Sequence, residues 1–120
     1  MNTVDGRTPA YLRVDRTDDG DGRTCLAVAG EVDMTTGDAF RRDVLGALAE
    51  PGARNVQLDV AAITFIDSHG VAVLVQARRL ADERGVGFAV LRAGHVVRSV
   101  LEMLGVYALL TEPDGPVRPA

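Results

Sequence analysis

Apolar positions along this chain recur at two periods, and the switches between them divide it into elements. Residues 11–17 alternate, with Tyr11, Arg13 and Asp15 against Leu12, Val14 and Arg16, the pattern of a half-buried strand. Residues 23–32 carry Cys25, Leu26, Val28 and Val32 and form a second β-type run. Asp18-Asp19-Gly20-Asp21-Gly22 lies between them; Gly and Asp tolerate the backbone angles of tight turns, so the two runs are expected to pair as an antiparallel hairpin. Cys25 is read as a small buried core residue.

The period then lengthens. Residues 36–50 place Phe40, Val44, Ala47 and Leu48 on one helical face and leave Arg41, Arg42 and Glu50 to water. Asp33-Met34-Thr35-Thr36 reads as its start, Asp38 favours the positive end of the helix dipole, and Pro51-Gly52 stops it. Residues 55–60 are a third strand. Residues 70–84 return to helical spacing, with Val73, Leu74, Ala77, Leu80 and Ala81 inward and Gly85 at the end. The run 86–91 is nearly all apolar, as in a strand buried on both faces. Residues 95–104 form a third helix with Val97, Val100, Leu101 and Leu104 inward, and 106–110 add a short covering turn. The order is β-β-α-β-α-β-α, an α/β fold with a mixed sheet of four to five strands and helices packed against it; the strand–helix–strand crossovers make the later strands parallel.

Composition narrows the function classes. The 120 residues suffice for one domain, and 47% are hydrophobic, which excludes wholesale disorder. With two Tyr, three Phe and no Trp, the core must be aliphatic. Residues 1–9 are expected to be a flexible lead-in and 112–120 a disordered tail, leaving 10–111 as the domain. Lys and Arg total 13 against 17 Asp and Glu, with no basic block, so no nucleic-acid partner is indicated. No apolar run reaches the roughly 18 residues of a membrane span, and the first residues lack a signal-peptide core; a cytoplasmic location is expected. One cysteine and two scattered histidines show no metal-ligand spacing. No phosphate-loop motif occurs, and no cofactor is expected.

The candidate chemistry is concentrated at Asp67-Ser68-His69, where the third strand gives way to the second helix. These are the residue types of a hydrolase triad. Three consecutive side chains diverge, however, and cannot form a nucleophile–base–orienter chain; the G-x-S-x-G elbow is also missing. The chain is therefore not read as an enzyme. A hydroxyl at a loop-to-helix junction favours capping, and the open amides of a first turn accept anions. Past Ser68, the apolar residues Val71, Ala72 and Val75 stand beside an inward face already filled by Val73, Leu74 and Ala77. Such a strip next to a capping Ser is a candidate docking surface; its structural alternative is tighter packing against a neighbouring helix.

Gly-Glu-Val-Asp-Met-Thr-Thr at 30–36, the stretch 56–74 that ends in F-I-D-S-H-G-V-A-V-L, and V-R-S-V-L-E-M-L-G-V at 97–106 together resemble the STAS domain of bacterial anti-sigma-factor antagonists. The resemblance covers about residues 10–110 and implies a single STAS-like domain. It further implies that Ser68 is the hydroxyl phosphorylated by an anti-sigma factor that is itself a serine kinase, that Asp67 is the preceding motif acid, and that Asp33 borders the same site. A phosphatase acting on phosphorylated Ser68 would complete the cycle. His69 stands where many members have a second Ser or Thr, which leaves Ser68 as the motif's only hydroxyl. On this reading Asp33, Asp67, Ser68, His69, Val71, Ala72 and Val75 form the partner surface. STAS-like domains also serve, without phosphorylation, as scaffolds in stress-signalling assemblies or as partners of transport ATPases. A small nucleotide-binding hydrolase is the remaining alternative, and it lacks any phosphate loop.

Overall fold

The computed structural model describes residues 11–112; the lead-in at 1–9 and, Glu112 apart, the tail at 112–120 lie outside that range. The opening hairpin forms as the alternation dictates: β1 (Leu12–Asp18) runs antiparallel to β2 (Arg23–Val32), with Leu12 opposite Gly30 and Asp18 opposite Thr24. The chain continues through α1 (Gly37–Ala49), β3 (Asn55–Ile66), α2 (Ser68–Arg84), β4 (Gly87–Leu91), α3 (His95–Met103) and α4 (Tyr107–Thr111). The sheet is four-stranded in the order β1-β2-β3-β4, with β2–β3 and β3–β4 parallel. This is the expected mixed sheet and the expected order of elements, with α4 as the covering turn.

Burial explains why each element takes its place. On β2, Leu26, Val28 and Val32 point to the helix-covered face, where they meet Phe40, Val44 and Leu48 of α1. Cys25 lies between two inward positions and therefore faces outward, half-exposed, contrary to its expected burial. The inward set on α1 is as read from its spacing. Arg84 of α2 donates to the carbonyls of Leu48 and Ala49, satisfying the open C-terminal end of α1. Gly85 ends α2 at φ +68, with Val86 N–H donating to Ala81 O, a left-handed cap that favours glycine.

Two features depart from the periodicity. β3 is twice the expected length, running to Ile66 instead of ending at 60, because its second half contains two register shifts against β2. After Val60 the buried positions are Ile63 and Ile66, a step of three. Each bulge adds one residue on β3 and turns a two-residue alternation into a three-residue one. The second departure is the inward stripe of α2, which includes Gly70, Val71 and Arg78 as well as Val73, Leu74, Ala77 and Ala81. Arg78 is 2% exposed, and its Nη1 donates to the carbonyls of Phe88, 2.7 Å away, and Glu112. The guanidinium thereby ties edge strand β4 and the end of α4 to α2. Leu104, expected inward, falls just past the end of α3 and is exposed, while Val97 and Leu101 hold the core.

The bulged half of β3 makes a sharp prediction. Ile63→Ala should cost about 2–5 kcal/mol and Thr64→Ala less than about 0.5 kcal/mol, measured by urea unfolding. Equal losses would mean that the register beyond Val60 is not the one described.

Candidate functional site

The parallel pairing of β2 with β3 brings two chain segments together at one end of the sheet. Val32 and Ile66 are cross-strand neighbours, and Asp67 N–H donates to Val32 O at 3.1 Å. The loop that follows β2 carries Asp33, Met34 and Thr35; the junction that follows β3 carries Asp67, Ser68 and His69. Asp33, Asp67, Ser68 and His69 are thus gathered from two separate stretches of sequence.

Asp67, and not Ser68, caps α2. Its Oδ1 accepts from the amides of His69 at 2.9 Å and Gly70 at 3.2 Å, and its backbone is extended. Ser68 is the first helical residue and is exposed. The expected capping role thus passes to the neighbouring carboxylate, which offers a charged acceptor to two first-turn amides. Two of the amides expected to be open to an anion are therefore already occupied. His69 is exposed beside this pair, its Nδ1 3.6 Å from Asp67 Oδ2. Asp33 plays a matching part in the other loop. Its Oδ1 accepts from the hydroxyl of Thr35 at 2.7 Å and from the amides of Thr35 and Thr36. The Thr36 hydroxyl donates to Glu31 O and accepts from Asp33 N–H, which closes the turn. The Thr35 hydroxyl above all, with the amides of Thr35 and Thr36, holds the Asp33 carboxyl below the usual carboxylate range, against an opposing effect of burial.

Gly70 sets how closely α2 approaches the sheet. A Cβ there would lie 2.7 Å from Val32 Cγ1 and 2.8 Å from Ile66 Cγ1. Val71, the next residue, is 4% exposed and lies in the core. Val71 is therefore removed from the partner surface proposed for it, and Val75 is half-buried against the core. Ala72 is exposed as expected. In their place the structure exposes two larger apolar side chains at the same end of the sheet: Met34, 72% exposed, in the Asp33 loop, and Phe65, 47% exposed, one residue before Ile66. The sequence carries a signal for Met34, an apolar residue inside a polar turn. Phe65 is turned outward by a bulge that no short-range pattern announces. Among the described residues no group of three or more His, Cys, Asp or Glu could hold a metal ion, and no helix is long and apolar enough to cross a membrane.

Similarities to known proteins agree with this arrangement. The family model described as "Mlab, STAS domain" matches residues 16–111, and the chain belongs to the STAS domain family. An anti-sigma F factor antagonist from Paenibacillus polymyxa is 25% identical over 96 residues, 80% of this chain and 82% of that protein. The fold matches the anti-sigma factor antagonist SpoIIAA in its unphosphorylated form, with a TM-score of 0.69 and 17% identity over 79% of this chain and 83% of the other. It also matches an anti-sigma factor antagonist from Mycobacterium paratuberculosis, with a TM-score of 0.69 and 22% identity over 92% and 87% of the two chains.

Three variants test the site's construction. Asp67→Ala should cost about 0.5–2 kcal/mol as a lost cap, and Ser68→Ala much less. Gly70→Ala should cost about 1–3 kcal/mol by overpacking against Val32 and Ile66. Thermal unfolding of the three side by side checks the ranking, and a costlier Ser68→Ala than Asp67→Ala would refute it. The depressed Asp33 pKa adds a pH dependence. Its contribution to stability is fully present above the unfolded value of about 3.9 and is lost as pH falls through the lower folded value. Asp33→Asn should therefore narrow the stability difference between neutral pH and acid, as measured by denaturation across that range.

Proposed function

We propose that this protein is an anti-sigma-factor antagonist that binds an anti-sigma serine kinase and is switched off by phosphorylation of Ser68. The observation that carries this reading is an exposed hydroxyl at the head of α2, within a STAS-family chain, beside carboxylates already committed to backbone amides. Unmodified, the surface of Asp33, Met34, Phe65, Asp67, Ser68, His69 and Ala72, with the edge of Val75, docks the kinase and releases its sigma factor. Met34 and Phe65 supply the apolar anchors of the kind that dominate interface energetics.

Phosphate brings about −1.5 to −2 charges and seeks donors. Here the nearest amides, those of His69 and Gly70, already serve Asp67. The phosphate must compete with that carboxylate for them or stand unpaired beside it. The fold tolerates either outcome, since α2 has a 17-residue body packed in the core. The interface does not, because a partner must desolvate two adjacent negative groups. The chain is a substrate and a binding module, and a phosphatase acting on phosphorylated Ser68 restores it. A cytoplasmic location follows from this role.

Ser68→Asp separates charge from unfolding. An acidic residue at the first helical position suits the dipole, so stability should stay within about 0.5 kcal/mol of the unmodified protein. Affinity for the kinase should fall on the order of 30-fold, the effect of an uncompensated interface charge of at least about 2 kcal/mol. Melting and a binding titration on one sample read both. Undiminished binding by a folded Ser68→Asp protein would sink the switch. In a parallel reaction with kinase and ATP, Ser68→Ala should take up no phosphate while still binding. Binding by the natural protein with no phosphate transfer would point instead to a scaffold.

A further inference from the structure

We infer that the open face of the sheet is a self-complementary interface on which a second copy of this chain docks about a two-fold axis running across the strands. The helices fill one face. On the other, the strand register lays out successive rows of outward side chains. Arg13, Ala29 and Ala62 form one row, and Asp15, Ala27 and Asp59 form the next. An uncovered sheet face usually carries polar residues on every strand. This one has alanine at its centre, with Ala27, Ala61 and Ala62 exposed, in a depression of about 290 Å³ bounded by Arg13, Asp15, Asp59 and Arg92.

The charges select the occupant. At the β1 rim, Arg13 stands one row above Asp15, with Nε 2.9 Å from Oδ2. At the other rim, Arg92 follows Leu91, the cross-strand neighbour of Asp59, and so lies on the same side of Asp59 as Arg13 does of Asp15. Its guanidinium donates twice to Asp59 Oδ2, at 2.8 and 3.1 Å. Arg92 holds a backbone φ of +59, unfavourable for a residue with a side chain, and its two hydrogen bonds to Asp59 help to offset that cost. Both rims therefore carry arginine above aspartate. A two-fold axis across the strands, midway between the two rows, sets each Arg13 opposite the other copy's Asp15 and brings each Arg92, whose guanidinium already reaches across to β3, diagonally to within one strand of the other copy's Asp59. The same axis lays Ala27 over Ala29. Side chains this small let two sheets approach at or inside the usual spacing of about 10 Å. Exposed ion pairs are worth little within one copy, so exchanging partners at closure sacrifices little. Ser68 itself lies outside this surface, past the end of β3, while Phe65 stands beside Glu31 one row beyond Ala29 and Ala62 and marks where the two surfaces meet.

Sedimentation equilibrium of the full chain tests this directly. The natural protein should approach twice its monomer mass as concentration rises. Arg13→Asp places like charges opposite each other at one rim and should raise the dimer dissociation constant about tenfold or more. Arg13→Asp combined with Asp15→Arg restores opposite charges across the axis and should restore association. Ala27→Glu should give a folded monomer by circular dichroism, and Ser68→Ala should leave the mass unchanged. A natural protein that stays monomeric at its highest soluble concentration overturns the inference. So does a dimer that survives Ala27→Glu, or one that the double charge reversal fails to rescue while remaining folded.

Discussion

The parallel pairing of β2 with β3 is the constraint on which the rest of this molecule depends. It brings Val32 beside Ile66 and, through the hydrogen bond from Asp67 N–H to Val32 O, holds the loop after one strand against the junction after the other. Ligand and partner sites in such sheets form beyond the carboxyl ends of parallel strands, where loops from neighbouring crossovers meet. The two bulges on β3 matter for the same reason. They lengthen the strand until its end lies level with the end of β2, and they turn Phe65 out to solvent while Ile63 and Ile66 stay in the core.

The site is built from acids that stabilise loops. Asp33 gathers the Thr35 hydroxyl and two amides, and Asp67 gathers two amides at the head of α2. A carboxylate committed in this way holds its backbone rigid and contributes negative charge to the surface. Ser68 has neither task. An exposed side chain on a fixed backbone can be modified without unravelling the helix behind it, as the switch proposed for Ser68 requires. The same rigidity comes from Gly70, whose missing Cβ seats α2 against Val32 and Ile66.

The two faces of the sheet solve different problems. The inner face meets α1 and α2 through aliphatic side chains and one buried arginine, whose donated hydrogen bonds bring the edge strand and the end of α4 into the same body. The outer face is alanine in the middle and zwitterionic at its borders. That pattern is the basis of the self-association proposed above.

Much of this was legible in the sequence. The order of elements, the inward set on α1 and the hairpin follow from local periodicity, because burial on one face imposes a period of two or 3.6. Ser68, Asp67 and Asp33 could be singled out from their motifs. Even the outward position of Cys25 lay within reach, since it sits between inward neighbours on an alternating strand. What only the tertiary structure decided were matters of rotation and register. The second half of β3 escaped because bulges, which exist only against a partner strand, break the alternation. Val71 and Ala72 are adjacent in sequence and alike in character, yet the packing of α2 on the sheet buries one and exposes the other. The cap passed from Ser68 to Asp67 through one step of backbone geometry. Periodicity reports that a face is buried; where that face begins and which side chain reaches an amide depend on contacts made by residues far apart in the chain.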